Sequence, residues 1–252
     1  MPYLMIHDIR SDYFDLDLEP FQLTFDDGLF SQYYYFPLLK DHPRKLTYFI
    51  TTSFIRPGKA RDMYAGEPIA YLKSKKYMRR TFSDGRFDHF MRLEEVQALS
   101  TQPNVQLGVH SHFHDVIMTH TPSSNRKPLS QWKLERFKNH PGISAMNMSI
   151  RSKLAFQGYA LKNGRLTKRT QAQWEDYIKY DTQLCLEWMT KHLGFSPELY
   201  CFPFNEYNES LISILKTFGF KRFFAARARH CEDVLARTDI DSLAAPLESG
   251  NG

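Results

Sequence analysis

Two short strings hold side chains able to do chemistry together. Leu23-Thr24-Phe25-Asp26-Asp27-Gly28 ends an apolar run in two adjacent carboxylates and a glycine. Successive side chains on a strand point to opposite faces, so both carboxylates reach one site only if the chain turns there, as Gly28 permits. Their mutual repulsion demands a nearby cation. Taken alone, the three residues also read as an Asp-Asp-Gly turn with an aspartate capping a helix at Leu29. The second string, Val105 to Asp115, alternates Val105, Leu107 and Val109 on one face and then opens into His110, Ser111, His112, Phe113 and His114. Both His110 and His114 reach one ion if the backbone coils after the strand, and neutral imidazole nitrogens suit zinc, cobalt, nickel or ferrous iron. With Asp27 they make one carboxylate and two imidazoles, a set that leaves coordination positions for water and substrate.

Short apolar segments alternating with helical patterns surround these strings, the signature of an α/β layered or barrel fold. The expected strands are Tyr3 to Ile6, Phe21 to Phe25, Leu46 to Ile50, Val105 to Val109, Leu199 to Phe202 and Arg222 to Ala225. The expected helices are Leu29 to Leu39, Arg92 to Ser100, Trp174 to Leu193 and Glu209 to Phe218, with Gly194 and Gly219 as stops. Asp84-Gly85 reads as a turn, and the aromatic run Tyr33 to Phe36 as core. Residues 122–173 lack clear periodicity and read as an insertion in one domain spanning 1–252.

The order and spacing of the motifs carry a resemblance. Thr24 to Gly28, followed by His-Ser-x-x-His at His110 to His114, resembles the NodB-homology polysaccharide deacetylases, the fourth carbohydrate esterase family. Thr47 to Ile50 is similar to the family's strand after its first helix, Phe90 to Leu93 to the helix start before the histidine motif, and Tyr200 to Phe204 to its Arg-x-Pro-Tyr segment. The resemblance covers roughly Leu18 to Ala226. It implies a distorted (β/α)7 barrel with the site at the C-terminal ends of the strands. It also implies Asp26 as general base, Asp27, His110 and His114 as ligands of a divalent ion, most simply zinc, and Ser111 as a hydrogen-bonding support of the histidine loop. The implied reaction is metal-dependent hydrolysis of an N-acetyl group on an amino sugar, with a backbone N–H from Phe204, in place of the family's Tyr, at the oxyanion.

Cys201 stands where the family has the Arg that orients its catalytic Asp, leaving Arg227, Arg229 and Arg237 as substitutes. The family's Leu-x-His motif is not recognisable. His230 lies in about the corresponding place as proton donor to the leaving amine, with His112 and His7 as alternatives. Two rival readings remain: a catalytically degenerate glycan-binding relative, favoured by loss of the Arg, and an amidohydrolase-type barrel using His110-x-His112.

Composition bounds the setting. The 252 residues are 42% hydrophobic and 15% aromatic, which excludes a wholly disordered chain. No stretch approaches eighteen uninterrupted apolar residues, and Asp8 and Asp12 interrupt any signal-peptide core. Three cysteines exclude a disulfide scaffold and suit a reducing cytoplasm. The net charge of +5 is segregated, because residues 122–173 hold eleven Lys or Arg against one acid, Glu135. That segment reads either as a solvated face or as a surface for an anionic partner: an acidic glycan, a lipid- or nucleotide-linked precursor, or a membrane surface. No nucleic-acid-binding motif accompanies it. Trp132 within it is the aromatic placed to meet a glycan.

Overall fold

The computed structural model describes residues 1–119, 131–137, 148–162, 165–228 and 232–243. Seven parallel strands form a closed barrel: β1 (Tyr3–Ile6), β2 (Gln22–Phe25), β3 (Leu46–Ile50), β4 (Val105–Val109), β9 (Leu199–Cys201), β10 (Arg222–Ala225) and β11 (Val234–Asp239). Around the barrel the order is β1-β11-β10-β9-β4-β3-β2, and β2 closes onto β1. The α/β class read from the sequence and the seven-stranded barrel that the resemblance implies are therefore present. β11 was not foreseen, and it is the strand that closes the ring.

Strand parity sorts the residues. Leu4, Ile6, Leu23, Phe25, Tyr48, Ile50, Val109, Tyr200 and Phe223 point outward into the main core beneath the helices. The alternate set points into the barrel, where Phe49, Leu199, Cys201 and Phe224 form a small separate cluster. A Cβ on Gly108 would stand 2.7 Å from the Phe49 ring and 2.9 Å from the Leu199 carbonyl oxygen, so only glycine lets β4 approach that ring. Continuing the inward parity to the C-terminal strand ends brings His7, Asp26 and His110 to one mouth.

The helices are α1 (Phe30–Tyr34), α2 (Phe36–Leu39), α3 (Ser74–Asp84), α4 (Leu93–Ser100), α5 (Gln131–Glu135), α6 (Gln171–Leu193) and α7 (Glu209–Thr217). The single helix expected over Leu29 to Leu39 is broken at Tyr35. Pro37 has no N–H to give and its ring crowds the preceding turn, so it begins a new helix. Nor does an aspartate cap α1: its N-cap is Leu29, which frees Asp26 and Asp27 for other work. α6 starts earlier than its first tryptophan suggests because Thr170 and Gln173 form a capping box, and Gly194 at φ 79° ends it. Tyr33, Tyr35 and Phe36 are buried as expected, and Gly85 caps α3.

A second, antiparallel sheet, β6-β5-β7-β8, occupies part of the segment read as aperiodic. It comprises β5 (Val116–Thr119), β6 (Ser149–Ser152), β7 (Tyr159–Lys162) and β8 (Arg165–Lys168). Four-residue strands such as Arg-Leu-Thr-Lys give too little alternation to be seen in sequence. Several cations of this segment are engaged internally. Arg136 and Lys153 both pair with Asp115, and Arg151 pairs with Glu206. Buried Arg169 donates to the carbonyls of Lys153 and Phe156. The expected basic surface is thus reduced among the described residues, and Lys162, Arg165 and Lys168 remain exposed on β7 and β8. Arg126, Lys127 and Lys138 lie outside them. No helix among the described residues is long and apolar enough to cross a membrane.

Candidate active site

Asp26 and Asp27 follow β2 directly, and Asp27 and Gly28 both take positive φ, 73° and 80°. That turn does what the sequence required, bringing both carboxylates to one place. Ser111 and His114, at φ 65° and 48°, coil the histidine loop back on itself after β4. Ser111 Oγ accepts the His114 N–H at 2.8 Å, and Asp181 on α6 accepts the N–H groups of His112 and Phe113, each at 3.0 Å. With Phe204 and Asn205, these are all the non-glycine residues of positive φ among those described. Backbone strain of this kind collects where the surrounding structure imposes it for function.

The result is a buried triad. His110 Nε2 lies 3.4 Å and His114 Nε2 3.6 Å from Asp27 Oδ1. Burial lowers the pKa of His110 and takes that of His114 down to about 4, despite the opposing charge of Asp27. Both rings are therefore neutral near pH 7, as metal ligands must be. His110 Nδ1 is 3.0 Å from the Cys201 carbonyl, which fixes its tautomer and presents Nε2 to the site. Asp27 Oδ1 is buried with no hydrogen-bond partner. A naked carboxylate oxygen facing two neutral imidazole nitrogens is costly unless a cation sits between them, so the donor set fits a divalent ion. Asp26, His110 and Cys201 also lie close together, but the cation beside Asp26 is an arginine.

Arg237 reaches in from β11 and grips Asp26 in a two-pronged contact, Nη1 to Oδ1 at 2.6 Å and Nη2 to Oδ2 at 2.8 Å. It also donates to Thr24 Oγ1 at 3.1 Å and lies 2.9 Å from Cys201 Sγ. Burial would raise the Asp26 pKa, but the Arg237 charge and its hydrogen bonds outweigh it and hold the carboxyl well below its ordinary range. Asp26 is thus an ionised carboxylate beside a donor set that fits a divalent ion. His7, Tyr77, Trp132, Lys133, Phe204 and Asn205 join these groups in lining a cleft of roughly 300 Å³.

Residues 18–223 match the polysaccharide deacetylase family. The chain belongs to that family. Comparison with curated protein sequences finds no significant match. The fold is similar to a de-N-acetylase from Aggregatibacter actinomycetemcomitans, at 14% identity and a TM-score of 0.59, covering 95% of each chain. It is also similar to the BpsB deacetylase domain from Bordetella bronchiseptica, at 15% identity and 0.62 over 95% of each chain. IcaB from Ammonifex degensii matches at 15% and 0.55, over 97% of this chain and 91% of its own.

Within this deacetylase fold, the Arg missing from β9 has its counterpart in Arg237 two strands away. Cys201, a small residue, leaves room for that guanidinium to cross the barrel mouth. Of the other candidates, Arg227 is exposed and Arg229 lies outside the described residues. So does His230. Among the alternatives for proton donor, His112 turns away to hydrogen bond with Thr52 Oγ1 at 2.8 Å, whereas His7 lines the cleft at the end of β1, next to β2. Phe204 lies at the cleft in left-handed conformation, φ 61°, with its ring 4.5 Å from that of His114. Trp132 lines the cleft but is largely buried, near-parallel to Phe82 at 5.1 Å and to Phe204 at 6.0 Å, so little of its ring is open to a glycan.

Sequence reading missed Tyr77, which donates from α3 to Asp27 Oδ2 at 2.7 Å. Burial raises its pKa well above the usual value, and the Asp27 charge raises it further, so the phenol stays a donor. It occupies one carboxylate oxygen and turns the other toward the imidazoles. Tyr77→Phe should therefore loosen metal affinity by roughly 10–100-fold, the usual cost of losing a partner that orients a ligand. Titration of the metal-free variant with zinc against a competing chelator measures it, and an unchanged affinity would remove Tyr77 from this role.

Proposed function

We propose that this chain hydrolyses the N-acetyl group of an acetamido sugar in a bacterial surface polysaccharide or its precursor, with a divalent ion, zinc by preference, held by Asp27, His110 and His114. The observation that carries the reading is the orphaned Asp27 Oδ1 facing two neutral imidazole nitrogens, with ionised Asp26 alongside. The structural neighbours, a de-N-acetylase among them, agree with it.

The bound ion would polarise the acetyl carbonyl and make a water molecule acidic enough to attack near neutral pH. Asp26 takes the proton from that water, and Arg237 keeps the carboxylate charged and fixed for the task. Its conjugate acid is strong, so the proton is passed on readily. The Phe204 backbone N–H is assigned to the carbonyl oxygen as charge develops there. His7 gives a proton to the nitrogen as the C–N bond breaks, releasing acetate and leaving a free amine. Retention of both carboxylates and both imidazoles around one cleft supports turnover over mere glycan binding, which needs no proton acceptor beside a metal.

The test is acetate release from N-acetylated oligosaccharides, with and without chelator. Release should stop on metal removal and return with zinc or cobalt, and His7→Asn should slow it at unchanged metal content. Release that persists through exhaustive chelation would sink the metal-dependent reading.

A further inference from the structure

We propose that the cleft contains an anion-binding subsite centred on Lys133, which selects N-acetylated sugars bearing a carboxylate or phosphate next to the acetamido group. The proposal rests on the deacetylase reading above and deepens it by naming the substrate class.

Lys133 stands apart both from the engaged cations of its segment and from Lys162, Arg165 and Lys168, which are exposed on β7 and β8. Arg136, Arg151, Lys153 and Arg169 are engaged by carboxylates or by backbone carbonyls. Lys133 instead lines the cleft. Among the described residues no carboxylate lies within ion-pair distance of its ammonium, and its hydrogen-bond partner is the Ile150 carbonyl at a long 3.5 Å. Glu206 is the nearest acid to influence it, but both Glu206 oxygens are taken, by Arg151 Nε and the Ser152 N–H, each at 2.6 Å. Burial moves the Lys133 pKa down, the mark of an ammonium placed away from water without full compensation. Such a group gains most from an anion that arrives with the substrate.

The aromatic sandwich explains how the ammonium is aimed. Trp132, gripped between Phe82 and Phe204, anchors α5 and so fixes the residue that follows it. The Lys133 Nζ lies 4.6 Å from the Phe204 ring centroid, and the His114 ring lies 4.5 Å from the same ring. The ammonium and the metal-binding imidazole are therefore no farther apart than those two lengths end to end, a gap that one sugar ring with its substituents bridges. Local charge favours an anion too. Arg237 offsets Asp26, a bound divalent ion would offset Asp27, and exposed Lys75 on the first turn of α3 adds a second cation at the rim. Two cations then face the cleft, with neither of the acids that line it, Asp26 and Asp27, left to balance them.

The test compares binding of matched probes by the full metal-loaded chain. Chitotetraose is set against a tetrasaccharide alternating N-acetylglucosamine with glucuronate, and N-acetylglucosamine against its 1-phosphate. The charged member of at least one pair should bind on the order of tenfold tighter at low salt, as for a charge-assisted hydrogen bond. The pair that shows the preference tells carboxylate from phosphate. K133M should bring that ratio close to one, and K133R should retain most of it. Equal affinity within both pairs, absent binding included, overturns the subsite, as does a preference that survives K133M. Acetate release measured in parallel separates the two claims. A charge preference without acetate from any probe sinks the deacetylase reading and leaves the subsite standing; acetate from every probe without preference does the reverse.

Discussion

Asp26→Asn is expected to cut acetate release by about 10²–10⁴-fold, the range for loss of a general base, while zinc stoichiometry stays at one per chain. The split between turnover and metal content follows from geometry. Asp27, His110 and His114 converge on one point with their Nε2 atoms 3.4 and 3.6 Å from Oδ1, whereas both Asp26 oxygens are bound by Arg237. An asparagine retains the shape and cannot take a proton. Measured kcat and metal content on the same preparation decide the matter. Full activity would show that another group removes the proton; loss of metal would show that Asp26 belongs to the ligand set.

Most of the barrel and the convergence of Asp27, His110 and His114 were legible because each rests on short local signals. β3 is buried throughout, β2 and β4 alternate apolar residues and are buried toward their C-terminal ends, and the Asp26-Asp27-Gly28 and His110 to His114 strings sit directly at the ends of two of these strands. Arg237 was visible only as one of three candidates, since β11 reads Val-Leu-Ala-Arg-Thr-Asp and its charges mask the alternation. Nothing in a linear reading tells that residue 237 crosses the barrel to residue 26. Tyr77 was hidden for a different reason. Its helix, α3, is rich in lysine and arginine and buries only Tyr77, Met78 and Thr81, and nothing local tells that this face meets Asp27, fifty residues earlier. Trp132 was misread because burial between two other rings depends on Phe82 and Phe204, both remote in sequence. Motifs at strand ends declare themselves; partners recruited from other strands and helices do not.

The largest expected stability effect belongs to Arg237. The guanidinium is buried at 3% exposure and Asp26 at 1%, so removing the cation leaves a carboxylate without water or partner. Breaking a buried pair in this way costs about 3–5 kcal/mol, and Arg237→Met should unfold at correspondingly lower denaturant concentration. The pH dependence follows from the sign of the shift. Asp26 has a folded pKa below its ordinary value, so the stabilisation is complete above about pH 4 and is lost as acid protonates the carboxylate in the native state. In Arg237→Met that support is absent and burial favours the protonated acid, so acid relieves the stranded charge, and the stability gap between wild type and variant should be widest near neutral pH and narrow as the pH falls. Asp26→Asn makes the opposite error, stranding Arg237 in the barrel mouth. The double variant Arg237→Met with Asp26→Asn removes both charges and should recover part of the lost stability, because neither partner is left buried and unpaired. Strict additivity of the two single losses would show that the two groups do not depend on each other, and Cys201 would then need another reason to occupy the place of the family arginine.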